Sequence, residues 1–352
     1  PEGFSRVRFV TSGSDANETA IQLARSYHVE HGDPSRWQVI SFAQAYHGPT
    51  METLALTGRP GLQGPFGPYL PEHLHIPPST SRSDPTGQAA LDALDRALER
   101  AGPETVSAFF CEAISAAALP ASTPARGFWE GLAERRERHG FLVCFDEVVT
   151  GVGRTGRWFA GEETACTPDI IATAKGLGAG YAAIGAVLCS EPVYEAVANG
   201  SRRFPLGHTW DGAPLSSAVG LAVHEALRSE QLIPHVEERG RRLRDELDAV
   251  GAEVLVALAA DKIGTRVVGH ALERSAGQRD LAVALDFGGQ VHLADHFARL
   301  AVARLDRHAD VLGLDASGGL EFVLRRLPSL YLCRRQYIDQ APALDVRLEL
   351  RH

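Results

Sequence analysis

Short apolar runs that alternate with helical patterns constrain the fold of this chain more than any other feature. Five runs are apolar enough to form buried strands: Val7 to Val10, Val39 to Phe42, Val106 to Cys111, Phe141 to Phe145 and Ile184 to Cys189. Helical periodicity is found at 15–31, 87–101, 127–139, 191–199, 214–229 and 231–250. This alternation predicts an α/β fold with a mostly parallel sheet and helices on its faces.

Composition narrows the class of protein. Of the 352 residues, 44% are hydrophobic and 22% are charged, which is ordinary for a soluble globular protein. No apolar run approaches the ~18 residues of a membrane span, and no signal peptide opens the chain, so we expect a cytoplasmic protein without a membrane segment. The formal charge of −9 disfavours a nucleic-acid partner. Five cysteines without CxxC spacing argue against disulfides and a zinc site.

The patterns divide the chain near residue 250. Strand and helix signals weaken beyond that point, so we predict one domain over 1–250 and an unassigned C-terminal region over 251–352. The first residue is Pro1 and the only methionine is Met51. We therefore expect the chain to be a fragment or a processed product of a longer protein.

The first motif with chemical content is FVTSGSDANETAIQLAR, residues 9 to 25. A strand, a Gly/Ser turn and a helix start in this order favour an anion site, because unpaired backbone N–H groups and the helix dipole point at whatever lies there. Gly13 and Ser14 are its candidate ligands. The alternative is an ordinary helix cap, with Asp15 and Glu18 complementing the dipole in the first turn.

The second motif is FLVCFDEVVTGVGRTG, residues 141 to 156, in which an apolar strand ends in Asp146 and Glu147. The carboxyl ends of parallel strands are where open α/β sheets bind ligands. A carboxylate there can hold the protonated ring nitrogen of a pyridine cofactor. Binding magnesium or capping the next segment remain alternatives at this stage.

The third motif, ATAKGLGAGY, places Lys175 between a short strand and a glycine-rich turn. Only two of the 35 basic Lys and Arg residues are lysines, Lys175 and Lys262. A lysine amine can lose its proton and form a Schiff base, whereas a guanidinium in practice cannot. A stray lysine in a loop is the alternative. Asp146 lies 175 − 146 = 29 residues earlier, far enough for the chain to return to the same sheet edge.

Five motifs together carry a family resemblance. SGSDANETA, AYHGPT, DEVVTGVGRTG, PDIIATAKGLGAGY and GHTWDGAPLSSA follow one another over roughly residues 5 to 250. In this order they resemble the class III aminotransferases, the ornithine, acetylornithine and GABA type, which have fold type I and use pyridoxal 5′-phosphate (PLP). The resemblance implies a PLP-binding large domain.

The resemblance also implies roles for individual residues. Lys175 would form the Schiff base and Asp146 would pair with the pyridinium nitrogen, as catalytic groups. The other implied cofactor contacts are Gly13 and Ser14 at the phosphate, Tyr46 and Val148 on the two ring faces, His47 beside them, and Glu112 near the 3-hydroxyl side. Glu18 matches a polar residue that the family has in the first helix. Tyr46, His47 and Val148 have an alternative as plain structural residues.

Thr209 of GHTW would reach the phosphate from a neighbouring subunit, so the resemblance implies a homodimer. It also implies a segment before the first motif and an arginine of the C-terminal domain that binds a substrate carboxylate. We expect both to be missing from this sequence, because Pro1 lies next to the first motif and no match follows Gly251. The run CEAISAAALPAS after Glu112 also departs from the family pattern.

The implied reaction is transfer of an amino group between an amino donor and a 2-oxo acid or aldehyde. Aminomutases, decarboxylases and epimerases hold the same cofactor through similar residues, so these reactions remain alternatives. A chain that binds the cofactor without catalysis is a further alternative. The identity of the substrate does not follow from the sequence.

Overall fold

The computed structural model describes residues 3–119 and 121–260 of the chain. The strands of this part are β1 (Arg6–Val10), β2 (Gln38–Phe42), β3 (Leu74–Ile76), β4 (Val106–Cys111), β5 (Leu142–Asp146), β6 (Ile170–Thr173) and β7 (Gly185–Cys189). Its helices are α1 (Gly13–Glu30), α2 (Met51–Leu56), α3 (Pro60–Gln63), α4 (Gln88–Ala101), α5 (Arg126–His139), α6 (Glu191–Asn199), α7 (Pro214–Ser229) and α8 (Leu232–Ala260).

The strands form one sheet in the order β1-β7-β6-β5-β4-β2-β3. The pairs from β3 to β6 are parallel, and β7 runs antiparallel to both β6 and β1. β7 is antiparallel because a short connection without a crossover helix joins it to β6, and such a connection can only reverse the chain. The predicted α/β fold with a mostly parallel sheet is confirmed.

Buried side chains form two clusters, one on each face of the sheet. Phe109, Phe128 and Phe145 belong to the cluster under α4 and α5, whereas Phe110 and Ile170 belong to the cluster under α1. Neighbouring residues of β4 thus point to opposite faces, and both faces are covered. Burial on both faces explains why the strands read as continuous apolar runs rather than alternating ones.

Helix α1 packs closely on the sheet because its buried face consists mainly of small residues, Ala16, Ala20 and Ala24. It contacts β6, β7 and α6. At its far end the Nε2 of His28 lies 2.8 Å from the carbonyl oxygen of Ser107, to which it can only donate. Burial lowers the pKa of His28 to about 4, so this histidine is neutral near pH 7. It anchors α1 without carrying charge into the core.

Three short elements were not predicted: β3, α2 and α3. They have three, six and four residues, which is too short for helical periodicity or strand alternation to be recognised in the sequence. The predicted helices agree with the structure to within about two residues, except that the last one extends to Ala260. Position 250, where we expected the domain boundary, lies inside α8. Residues 261–352 of the predicted C-terminal region lie outside the described residues.

Two findings bear on the class of protein. No helix in the described ranges is both long and apolar enough to cross a membrane. The cysteines of those ranges, Cys111, Cys144, Cys166 and Cys189, are all buried and free. Cys333 lies outside the described residues.

The parallel strands bring the chemical motifs to one edge of the sheet. β1, β2, β4, β5 and β6 all point the same way, because β7 is antiparallel to both β1 and β6. Their carboxyl ends therefore meet at a common edge. The segments that leave this edge are the ones that contain the candidate site residues.

A candidate cofactor site at the carboxyl edge of the sheet

The first segment at this edge is the start of α1. Ser12 is the N-cap, and its Oγ accepts a hydrogen bond of 3.2 Å from the backbone N–H of Asp15. The Asp15 carboxylate in turn accepts from the hydroxyl of Thr11. Gly13 and Ser14 follow the cap as the first residues of the helix. Their position gives them the first-turn N–H groups that favour an anion.

Gly13 packs against the segments that follow β5 and β6. A Cβ placed on Gly13 would lie 2.7 and 3.0 Å from the two Cγ atoms of Val148, and 3.5 Å from the Cβ of Ala174. Only glycine allows this approach without a shift of its neighbours. Ala174 immediately precedes Lys175, so the start of α1 lies directly against the segments that hold two other predicted residues.

The loop after β2 lies over the next residue of α1. Gly48 has a φ of +137°, and a Cβ on it would lie 2.5 Å from the Oγ of Ser14. Further along the loop, the hydroxyl of Thr50 donates to the Glu18 carboxylate over 2.5 Å. Burial raises the pKa of Glu18, and the hydrogen bond from Thr50 opposes this rise. The predicted residues Ser14 and Glu18 thus face the AYHGPT loop.

Asp146, the last residue of β5, lies at the centre of the candidate site and is 5% exposed. Its Oδ2 accepts from the side-chain amide of Asn17 over 2.7 Å and lies 2.9 Å from the Nδ1 of His47. Its Oδ1 accepts from the backbone N–H of Val148 over 3.0 Å. Three donors from three segments therefore compensate for the burial of one carboxylate.

Two buried polar atoms beside Asp146 have no hydrogen-bond partner among the described residues: Nε2 of His47 and Oδ1 of Asn17. The ring of His47 packs edge-on against Phe110, with 4.9 Å between the ring centroids. Buried polar atoms without a partner cost free energy, and they cluster where a ligand is bound. Here both belong to residues that contact Asp146.

Glu112 follows β4 at the same edge. Its carboxylate accepts from the Ser115 hydroxyl over 2.8 Å and from the N–H of Ala116 over 3.3 Å. Burial, followed by the charge of Asp146, raises the pKa of Glu112, while His47 and Ser115 oppose the rise. The loop behind it, which departs from the family pattern, is closed by a pair of hydrogen bonds between Ser115 and Ser122. Glu112 is thus held in the electrostatic field of Asp146.

Glu147 points away from this cluster and has a structural role. It is fully buried, and its carboxylate accepts from the backbone N–H groups of Ala160 and Gly161 over 3.0 and 2.6 Å. Thr150 donates to it as well. Burial raises the pKa of Glu147, and these donors oppose the rise. Of the two acidic residues that end β5, only Asp146 faces the candidate site.

Lys175 follows β6 in a tight turn. Asp146 is the Cα partner of Ala172 in the parallel pair of β5 and β6, and Lys175 comes 175 − 172 = 3 residues later. Its φ is +35°, a conformation that favours glycine and is strained for other residues. The turn is closed by hydrogen bonds from Leu177 to Ala174 and from Gly178 to Lys175. The side chain of Lys175 is exposed, so its amine is accessible.

The remaining two predicted residues are less closely tied to this cluster. Tyr46 is half-buried and immediately precedes His47. Thr209 is exposed, and within the described ranges no hydrogen bond joins it to Gly13 or Ser14. Its loop is held by Asp211, which pairs with Arg8 over 3.0 Å and accepts from the N–H of His208.

Asn17, whose side-chain amide donates a hydrogen bond to Asp146, was not predicted from the sequence. A signal was present, because Asn17 lies on the apolar face of α1 with Ala16, Ala20 and Ala24. A polar residue on an otherwise apolar stripe must find a buried partner. Gly48 was also missed, because its close approach to Ser14 depends on two segments that are distant in sequence.

Comparison with known proteins identifies the family of the chain. The family model for class-III aminotransferases matches residues 1–258, and the chain belongs to this family. A probable aminotransferase of Mycobacterium tuberculosis is 36% identical over 70% of this chain and 54% of its own length. The acetylornithine aminotransferase of Mycobacterium bovis is 35% identical over 70% of this chain and 55% of its own length.

Solved structures show the same relationship. An amine transaminase from an uncultivated Pseudomonas species, determined in its PLP-bound form, has a TM-score of 0.66. It is 30% identical to this chain, and the match covers 71% of this chain and 58% of the transaminase. The fold is therefore that of fold-type I transaminases, as predicted. The chain spans about half the length of the curated relatives it matches.

The family implies PLP as the cofactor, and the residues at the sheet edge fit it. A buried carboxylate that accepts three hydrogen bonds suits a protonated ring nitrogen, an accessible lysine amine suits an aldehyde, and a helix start suits a phosphate. The glycines at positions 13 and 48 keep side-chain bulk away from this edge. The unpartnered atoms of His47 and Asn17 lie beside the carboxylate.

We predict that Gly13→Ala destabilises the protein by about 1–3 kcal/mol, because the added methyl overlaps Val148. Adding Val148→Ala to the same chain removes the overlapping methyl groups, so the double variant should recover part of this loss. Thermal unfolding of the two single variants and the double variant measures the coupling. Strictly additive effects would contradict the close packing described above.

Proposed function

We propose that this protein is a PLP-dependent aminotransferase that moves an amino group between an amino donor and a 2-oxo acid or aldehyde. The observation that carries the proposal is the register of β5 and β6, in which Asp146 lies opposite Ala172 and Lys175 follows three residues later. A carboxylate for the ring nitrogen and an amine for the aldehyde thus leave neighbouring strands at one edge. When bound, PLP supplies a ring that withdraws electrons from the substrate carbon.

Asp146 and Lys175 are the proposed catalytic residues. Asp146 holds a proton on the ring nitrogen, and the donors around its carboxylate compensate for the burial of the charge. Lys175 binds the cofactor covalently through Nζ and, once free, moves a proton at the reacting carbon of the substrate. The exposure of Lys175 supports this role, since the amine must be reached by an incoming substrate.

The other residues of the edge position the cofactor in this proposal. Gly13 and Ser14 bind the phosphate, supported by their place in the first turn of α1. Tyr46 and Val148 pack on the two faces of the ring. His47 contacts Asp146 and stands beside the ring.

Two further acidic residues complete the proposed site. Glu112 would stand on the 3-hydroxyl side of the ring, supported by its place directly after β4, the strand that pairs with β5 at this edge. Glu18 contributes a polar group beside the phosphate-binding turn, supported by its contact with the loop that covers Ser14.

The decisive test replaces Lys175. Lys175→Ala and Lys175→Arg should both abolish covalent attachment of PLP, because neither side chain can condense with an aldehyde. Amino transfer to a 2-oxo acid should fall by at least about 100-fold, the usual contribution of one acid–base group. Borohydride reduction of the wild-type protein with PLP, followed by peptide mapping, should place the label on Lys175.

Lys262 is the matched control, because it is the only other lysine of the chain. It lies outside the described residues. Lys262→Arg should leave both the visible absorption of bound PLP and the transfer rate unchanged. A label on Lys262, or a Lys175→Arg variant that still attaches PLP covalently, would refute the proposed chemistry.

A homodimer is part of the same proposal, with Thr209 binding the phosphate of the neighbouring subunit. Large apolar side chains stand exposed around the Thr209 loop and the turn after Lys175: Trp210 at 70%, Leu215 at 79% and Tyr181 at 85%. Exposed apolar side chains that cluster in this way are typical of protein–protein interfaces. Their exposure supports a subunit contact at this surface.

We expect sedimentation of the wild-type protein at micromolar concentration to give a dimer. Leu215→Arg should shift it toward the monomer, because a charge would enter the apolar interface. Val29→Arg, at another exposed apolar position, should leave the dimer intact. A wild-type monomer that binds PLP tightly would contradict the dimer.

The proposal also covers the substrates, the cellular location and the domain division. An amino donor and a 2-oxo acid or aldehyde are the proposed partners, and a cytoplasmic location is supported by the free buried cysteines of the described ranges. Residues 1–250 are proposed as the PLP-binding domain and 251–352 as a separate C-terminal region.

A further inference from the structure

Asn17 occupies a position on α1 where an apolar residue would be expected. It is 1% exposed, and its neighbours on the same helix face are alanines and Ile21. Burying a side-chain amide is costly unless its hydrogen bonds are made. The reason for an asparagine here must therefore lie in what its amide contacts.

The amide nitrogen of Asn17 makes two hydrogen bonds of 2.7 Å, one to the carbonyl oxygen of His47 and one to the Oδ2 of Asp146. A carbonyl oxygen can act only as an acceptor, and so can the carboxylate of Asp146 when it is ionised. The side chain must therefore present its NH₂ group to them, and the reversed orientation of the amide would face two acceptors with an oxygen. One side chain thus ties α1 to the loop after β2 and to the end of β5.

We infer that Asn17 is a positioning residue that holds the Asp146 carboxylate in the orientation and the charge state needed to bind the ring nitrogen of PLP. The inference rests on the proposed function and extends it to a residue that does not itself contact the cofactor. Asn17 and His47 both donate hydrogen bonds to Oδ2 of Asp146, whereas Oδ1 accepts one hydrogen bond, from the backbone N–H of Val148. The carboxylate is thereby held at both oxygens and cannot rotate freely.

The Asp146 carboxylate has acidic neighbours, so it needs the hydrogen bonds from its donors. Burial raises the pKa of both Glu112 and Glu147, and the charge of Asp146 adds a second contribution at Glu112 and a minor one at Glu147. Removing one donor from Asp146 removes a hydrogen bond that offsets the repulsion by the neighbouring acidic groups and the burial of the carboxylate. Hydrogen bonds to charged groups contribute more free energy than those between neutral groups, so the loss of one donor should measurably weaken PLP binding.

A purely structural role for Asn17 would give a different result. In that case the bond to the His47 carbonyl alone would matter, and substitutions would change stability without changing how tightly PLP binds. The test therefore measures PLP affinity and the environment of the ring nitrogen separately from stability.

The experiment compares Asn17→Leu and Asn17→Asp with the control Thr19→Val, which changes another buried polar residue on α1 outside the donors to Asp146. PLP is titrated into each purified protein and followed by visible absorption, and thermal unfolding without PLP measures stability. Both Asn17 variants should bind PLP about 10- to 100-fold more weakly, as expected for one hydrogen bond to a charge. PLP binding by the control should stay within about twofold of the wild type, because Thr19 is not among the described donors to Asp146.

A spectroscopic measurement completes the test. The proton NMR signal of the ring-nitrogen hydrogen of bound PLP should move in both Asn17 variants and stay in place in the control, because its chemical shift reports the hydrogen bond to Asp146. In the wild-type protein, the side-chain amide signals of Asn17 should shift when PLP is added, since Asp146 then shares its charge with the ring.

The outcomes separate this inference from the proposed function. If the wild-type protein binds no PLP, the proposed function fails. If it binds PLP and the Asn17 variants bind it equally well with an unmoved ring-nitrogen signal, only the inference about Asn17 is overturned. If the variants do not fold, the NMR titration of the wild-type protein decides. Side-chain amide signals of Asn17 that do not shift when PLP is added would overturn the inference.

Discussion

The burial of the Asp146 charge is the constraint on which the rest of the site depends. A carboxylate that is almost fully removed from water is stable only if donors reach it, and here they come from α1, from the loop after β2 and from the residue just beyond β5. These segments are far apart in sequence, so the whole edge of the sheet must be assembled before the charge is compensated.

The sheet topology makes that assembly possible. Because β7 runs antiparallel between β1 and β6, β1 keeps the direction of the central strands and delivers α1 to their carboxyl ends. The contact is close: a Cβ on Gly185 at the start of β7 would lie 2.4 Å from the carbonyl oxygen of Ser12. With Gly13 packed on Val148 and Ala174, the turn before α1 is fixed from both sides.

The sequence alone predicted what is local or continuous along the chain. Apolar runs buried on both faces, such as Val106–Cys111, and helices of three or more turns were recognisable, and the residues after the strand ends gave Asp146 and Lys175 as candidates. The three-residue strand β3 lacked a readable period. Asn17 was missed because its importance lies in a bond to a residue 129 positions away. The buried contacts of Glu147 with the backbone N–H groups of Ala160 and Gly161 likewise join segments that no sequence pattern connected.

We propose that the compensated charge of Asp146 makes this edge a PLP site. The most direct test of this proposal is a PLP titration of the wild-type protein beside Asp146→Asn, which keeps the shape of the side chain and removes the charge. Asp95→Asn, in an ion pair with Arg135 between α4 and α5, controls for loss of a carboxylate elsewhere. We expect saturable binding by the wild type and the Asp95 variant, and binding at least about tenfold weaker by the Asp146 variant. Equal affinity in all three proteins would contradict the proposal.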